Sequence, residues 1–336
     1  MQPVALEAKT RTSLSFTLLV LLAVVLLIAD LMVGDRLQSP GTLWRALTTD
    51  EDPVLRHILL TVRSTRTLVA LLIGVALPLC GLMMQTVFQN PLADPYILGV
   101  SSGTGLGVAL FVLGVPLLGL PISGIGILGA GFLGALAVMF LILALSRRID
   151  NIFGVLIIGV MLSYVVSSIL QILQYYSSAE QLKVYTLWSL GSLSGVTRDY
   201  LLIMLPIIGV GVGAAVACIK PLNLLLLGDH YAGTMGLNIR KTRLLILGST
   251  ALMTGTVTAF WGPIGFIGLA VPHVARFLLK TSDHRILVPA TALIGICSML
   301  LCNMLAKLFL IPINSVTALL GVPIILWVIL RQLNYR

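Results

Sequence analysis

The chain has 336 residues, of which 58 % are hydrophobic and only 10 % charged. Soluble domains carry roughly 25 % charged residues, so this composition excludes a large water-soluble core and defines an integral membrane protein. The net charge of +9 would suit a nucleic-acid partner, but in so apolar a chain it reads as basic inner loops, and no nucleic-acid partner is expected.

Lys9 and Arg11 precede the apolar run Leu14–Ala29, as in a signal peptide. No A-x-A-like cleavage site follows and the run continues to Val33, so an uncleaved first span is expected. A span needs about 20 apolar residues to cross a ~30 Å hydrocarbon layer. On that measure ten spans are predicted, at 14–33, 67–88, 97–118, 121–145, 152–174, 200–219, 244–261, 264–280, 286–306 and 312–330. Pro95–Ser146 contains no Lys, Arg, Asp or Glu, and Leu244–Ala275, Ile286–Ala306 and Leu308–Leu330 are equally free of charge. The third and fourth spans are divided only by a Gly/Pro-rich patch, Gly114 to Pro121.

With the N-terminus inside, 13 of the 21 Lys and Arg residues fall on the inner side and 8 outside, five of these in a long 34–66 loop. Both termini are therefore expected inside. Trp188 and Trp261 fall near outer span ends and Trp327 near an inner one, as interface anchors would. Small residues recur at helical spacing, as in Gly99/Gly103/Gly107 and Gly209/Gly213, and allow close helix approach. In the fifth span Ser163, Ser167, Gln171 and Gln174 share a helical face. That stripe suits either hydrogen bonding between helices or the wall of a polar-tolerant translocation path.

Between Leu222 and Arg243 the oily chain is interrupted by a short, charged, helix-like island. Gly228 breaks a Leu-rich turn, Asp229 can N-cap a second short helix, and Gly236 can stop that helix in the left-handed conformation. Leu224, Leu227, Tyr231 and Met235 fall on one side, suited to docking a partner or to lying on lipid.

No engine accompanies this handle. The chain has no Gly-Lys pair and hence no Walker A loop, and it contains neither HExxH nor GxSxG. The four histidines are scattered. Cys80, Cys218, Cys297 and Cys302 all sit in apolar surroundings, so neither a metal site nor a disulfide is expected. Ion-coupled carriers usually bury ionisable groups within the bundle. Here the spans are nearly charge-free, with Asp30 at the outer end of the first span and Asp94 in a loop. The remaining class is a pathway-forming subunit driven by a separate protein.

Four blocks then carry a family resemblance. They are Gly81-Leu-Met-Met-Gln85 with Asn90-Pro-Leu-Ala-Asp-Pro95 and Leu98-Gly-Val-Ser-Ser-Gly103; the island with Leu-Gly-Asp at 227–229 and Met-Gly at 235–236; Gly262-Pro-Ile-Gly-Phe-Ile-Gly-Leu-Ala-Val-Pro-His273 with Ala275-Arg276; and Gly321-Val-Pro323. In this order they resemble the FecCD-type permeases, the membrane subunits of ABC importers for iron chelates, haem and cobalamin.

The resemblance implies an all-α, type II importer permease in the bacterial inner membrane, a single domain over 1–336 with ten helices. It implies a homodimer, or a pair with a close paralogue, with the path at the two-fold axis. Two cytoplasmic ATP-binding subunits would hold ATP and Mg, and a periplasmic or lipid-anchored protein would deliver the substrate. This chain would then be no enzyme and bind no cofactor itself. An iron(III)-siderophore is the expected cargo, with haem or cobalamin next.

By position, Arg63, Arg66 and Lys307 match residues that dock the binding protein. Leu227, Gly228, Asp229, Tyr231, Ala232, Met235 and Gly236 match the ATPase-coupling element. Asn90 and Leu92 match one cytoplasmic gate, and Ile152 with Phe153 the other. Ser163, Ser167, Gln171 and Gln174 would line the path. Three departures bear on docking. The usual Arg-x-Pro-Arg is Arg63-Ser-Thr-Arg66, Lys stands for Arg at 307, and the segment after Lys307 is about four residues short of the usual form.

Overall fold

The computed structural model describes residues 2–34, 38–49, 52–118, 123–149, 151–193, 195 and 197–333. Arg36, Pro121 and Arg336, which enter the charge and span expectations, lie outside the described residues. Each of the ten predicted spans coincides with helix: α1 (Gln2–Met32), α4 (Ser64–Val87), α5 (Val100–Ala109), α6 (Gly124–Ser146), α7 (Ile152–Tyr175), α9 (Arg198–Ala217), α12 (Ile239–Trp261), α13 (Ile267–Leu279), α14 (His284–Phe309) and α15 (Ile313–Leu333). Among the described residues seven helices are long and apolar enough to cross a membrane, and three more apolar helices, Val100–Gly114, Ile267–Leu279 and Ile313–Val328, are shorter. No strand occurs among the described residues.

Polar residues at the span boundaries start these helices by accepting their orphan N–H groups. Asn151 caps α7, Thr197 caps α9, Asn238 caps α12 and Asp283 caps α14. The same chemistry structures the 34–66 stretch, which is no simple loop. Ser39 caps α2 (Pro40–Thr48) and Asp52 caps α3 (Pro53–His57), each helix with proline in its first turn. A wide π-turn, Ile58–Arg63, then runs directly into α4. The third span is also less regular than expected, because α5 passes into a π-turn at Leu110–Gly114. One further helix, α8 (Ala179–Ser189), follows α7 behind a Ser178/Gln181 capping box.

The most deeply buried helices are α4, α12 and α14. They form the centre, with α5, α6 and α9 packed around α12, α7 beyond α5, and α1 leaning on α14. Backbone contact holds the centre together. A Cβ on Gly74 would stand 2.7 Å from the carbonyl oxygen of Gly295 in α14. A Cβ on Gly81 would collide with the carbonyl of Gly268 in α13. Gly103 and Gly107 press likewise against α6, whereas Gly209 and Gly213 face open space. The small-residue spacing thus marks close packing in α5 and not in α9.

Trp261 departs from expectation. It is buried rather than interfacial, because its Nε1 donates to Met204 Sδ at 3.0 Å and its ring packs with Tyr200 and Phe260. Trp327 is partly exposed and meets Phe277 edge-on.

Gly81→Val is expected to lower stability by at least about 1–3 kcal/mol through overpacking, while Gly213→Ala stays within about 0.5 kcal/mol. Thermal unfolding of the purified variants in detergent measures both.

Candidate functional site

One end of the bundle gathers the end of α4, the start of α7 and the island between α9 and α12. The island folds as α10 (Ile219–Leu225) and α11 (Asp229–Thr234). Gly228, at φ 91° and ψ 157°, occupies the N-cap of α11, a conformation that a side chain would strain. Asp229 is therefore the first helical residue and not the cap expected of it; its carboxylate pairs instead with Arg243 of α12. Gly236 does stop α11 in the left-handed region at φ 85°, and Leu237 N donates back to Ala232 O at 3.0 Å. Ala232 is fully buried and roots the protrusion. Leu227 (56 % exposed), Tyr231 (66 %) and Met235 (61 %) stand outward.

The first gate expected from the resemblance is a tight turn. Gln89 takes a positive φ of 46°, Asn90 Oδ1 accepts Leu92 N at 2.9 Å, and Leu92 is exposed. Asp94 caps the 3₁₀ turn Pro95–Leu98 by accepting Tyr96 N at 2.7 Å. Burial pushes its carboxyl up from an ordinary 3.8 to about 6, against the lowering effect of that N–H. The Tyr96 hydroxyl in turn accepts Ile264 N at 3.2 Å, tying the turn to the loop before α13. At the second gate Asn151 accepts Phe153 N, Phe153 is exposed and Ile152 is buried. A cavity of about 280 Å³ lies between Ile152 and the Asp229–Arg243 pair. Both expected gates thus border the island.

The α7 stripe is divided. Ser163 accepts a hydrogen bond from Ser102 of α5 at 3.1 Å and donates to Gly159 O, so it serves packing within the bundle. Ser167 and Gln171 are exposed and Gln174 is half-buried. The outward face of α7 also carries Tyr164 and Tyr175.

The opposite end brings together Arg63, Arg66 and Lys307 around a cavity of about 770 Å³. All three are engaged with their own chain. Arg63 donates to Leu31 O at 3.0 Å, at the carbonyl end of α1, where a cation suits the helix dipole. Arg66 Nε donates to Asn303 Oδ1 at 2.9 Å. Lys307, its side chain only 5 % exposed, pairs with the fully buried Asp30 at 3.0 Å and also donates to Asp30 O. Thr67 and Asn303 complete the shell of that carboxylate, at 2.6 and 2.9 Å. In the sequence Asp30 stands at a span end, and its partner lies 277 positions away. The only signal was one acid and one base, each closing an apolar run.

Among the described residues no group of His, Cys, Asp and Glu could hold a metal ion, and all four cysteines are free and buried. His273 lies 2.7 Å from Pro91 O in the gate turn, and His284 lies between Thr86 of α4 and Asn223 of α10.

A helical bundle with a folded protrusion at one end, turns bordering it and a cation-lined cavity at the other defines a multi-pass membrane permease. The FecCD transport family model matches residues 21–331. The chain belongs to this family, as an ABC-importer permease and multi-pass protein of the bacterial inner membrane. It is 36 % identical over 340 residues to the hemin transport system permease protein HmuU of Yersinia pestis, an alignment covering 98 % of this chain and 99 % of that protein. It is 36 % identical over 320 residues to the vitamin B12 import system permease protein BtuC of Klebsiella pneumoniae, covering 94 % and 92 %. An inward-facing ABC transporter described as metal-chelate type superposes with a TM-score of 0.83 at 29 % identity, covering 93 % of this chain and 97 % of that one.

Two outcomes follow. Lys307→Ala leaves Asp30 buried and unpaired and should cost about 3–5 kcal/mol, most of it recovered in Lys307→Met with Asp30→Asn; thermal unfolding in detergent measures the cycle. Because the folded pKa of Asp94 lies above its unfolded value, the stability this carboxyl contributes is lost as pH rises from 3.8 through about 6. Asp94→Asn, which keeps the cap, should therefore gain stability relative to wild type across that range, with unfolding measured on both proteins.

Proposed function

We propose that this chain forms the membrane path of an importer that carries an iron(III) chelate inward, a siderophore complex first, paired with a second copy or a close paralogue. Two cytoplasmic subunits that hold ATP and Mg drive it from the side on which both termini lie. A periplasmic or lipid-anchored binding protein delivers the cargo on the other. The α10–α11 protrusion carries this reading. It presents Leu227, Tyr231 and Met235 outward from a buried root, on a chain that lacks the Walker loop needed to use ATP itself.

In this reading Asn90 and Leu92, with Ile152 and Phe153, close the path at the ATPase end. Ser167, Gln171 and Gln174 line it, with Ser163 setting the position of α7 against α5. Arg63 and Arg66 steer acidic groups of the binding protein to the outer cavity. Lys307, held by Asp30, supports that docking surface from beneath. The metal-chelate neighbour supports an iron chelate as cargo. Haem is the second reading, favoured by the end-to-end likeness to the hemin permease, and cobalamin the third, from the vitamin B12 permease.

The test is uptake into liposomes holding the chain with its ATPase and binding protein, offered an iron(III)-siderophore, haem or cobalamin. ATP-dependent uptake of the siderophore complex is expected. Uptake of haem or cobalamin alone would replace that cargo. Uptake driven by an ion gradient without the ATPase would sink the importer reading.

A further inference from the structure

The island and the first gate turn are joined by a run of buried and half-buried side-chain bonds. Asn223, on α10, accepts the backbone N–H of His284 at 2.8 Å through Oδ1 and donates to Asp283 Oδ1 at 2.6 Å through Nδ2. These two bonds fix which way the amide points. The same Oδ1 lies 2.8 Å from His284 Nδ1, so that nitrogen must carry a proton. In the neutral ring Nε2 is then an acceptor, and the hydroxyl of Thr86 in the last turn of α4, 2.9 Å from both Nε2 and Leu82 O, donates to the ring rather than to Leu82 O in that tautomer. His284 is 1 % exposed. It therefore bridges α10 to α4 from the first turn of α14.

A second bond runs in parallel. Gln89, the residue directly before Asn90, donates from Nε2 to the carbonyl of Leu225, the last residue of α10, at 3.1 Å. Gln89 is also the residue at positive φ from which the gate turn springs. On the other flank α13 grips the same turn. Arg276 donates to Gln85 Oε1 at 2.5 Å, Gln85 donates to Leu269 O at 3.1 Å, and His273 meets Pro91 O. Apolar surfaces can slide with little change in energy, whereas directed bonds shielded from water resist a change of angle or length.

We infer that His284, held between Asn223 and Thr86, and Gln89 on the Leu225 carbonyl are positioning residues that carry a displacement of α10 to the Asn90–Leu92 turn. The inference rests on the proposed drive by ATPase subunits. The α10 helix has only seven residues and is joined at Asn223, through His284, to position 86 and at its last residue directly to position 89, the two positions that set the direction of the chain entering the gate. A push on the protrusion then moves the end of α4 rather than deforming the island alone.

The test uses the assembled transporter in liposomes, with ATP hydrolysis and cargo uptake measured on the same preparation. His284→Ala and Gln89→Ala are each expected to leave hydrolysis within about twofold of wild type and to lower cargo moved per ATP about tenfold, the effect of losing one hydrogen-bonded link between α10 and the end of α4. A purely structural role would lower the amount of assembled complex and leave that ratio unchanged. Asn223→Ala and Thr86→Val each remove one arm while the ring stays, and they serve if His284→Ala does not fold. Their double variant should be no worse in cargo per ATP than either single one, because both break the same link. Unchanged ratios, or effects that multiply in the double variant, would overturn the inference. A wild-type complex with no ATP-driven uptake would instead overturn the transport reading on which it rests.

Discussion

Helix α4 touches its neighbours through backbone, and the rest of the structure depends on that contact. At Gly74 and Gly81 no side chain separates it from the carbonyls of α14 and α13. Helices in a membrane gain little from burying apolar surface, since lipid tails are equally apolar, so close packing and internal hydrogen bonds must hold them. Approach at this distance leaves α4 little freedom to tilt or rotate alone. Its first turn carries Arg66 and Thr67 into the outer cluster, and its last carries Thr86 to His284 and leads to Gln89 and Asn90. One helix therefore joins the two functional ends.

Most polar groups admitted to this interior have partners, the hydroxyls of Thr250 and Thr291 being exceptions. Two α12 threonines illustrate the pattern: Thr254 and Thr258 are fully buried and donate to carbonyls one turn back within their own helix, both at 2.7 Å. The larger charges follow it at greater cost. Asp30 is completely enclosed, and Lys307, Asn303 and Thr67 all converge on its carboxylate. Such a pair adds little net stability over apolar packing, but removing either member leaves a buried charge. It fixes how α1 and α14 meet, which apolar contact alone would leave loosely specified.

Much of this was legible in the sequence. Ten apolar runs fell on helices because lipid permits few other backbone solutions, and Gly228 and Gly236 marked the turns of the island because their backbone conformations demand glycine. What escaped notice depends on three-dimensional neighbours. Asp229 looked like a cap until Gly228 took that position, and Trp261 looked like an interface anchor until Met204 and Tyr200 enclosed it. Ser163 belonged to an even polar stripe, yet its hydroxyl meets Ser102. No local pattern tells which side of a helix faces a neighbour. The role of His284 was equally hidden, since a single histidine after a loop has no signature apart from the two helices that meet it.

The Asp30–Lys307 pair also orders the making of the protein. The ribosome delivers Asp30 with the first helix and its ammonium partner 277 residues later. Of the groups that surround the carboxylate, only Thr67 is made early; Asn303 and Lys307 arrive together on α14. Until that helix enters the membrane, Asp30 lacks the lysine that pairs with it. A chain broken off before α14 thus bears a polar flaw that the finished one conceals.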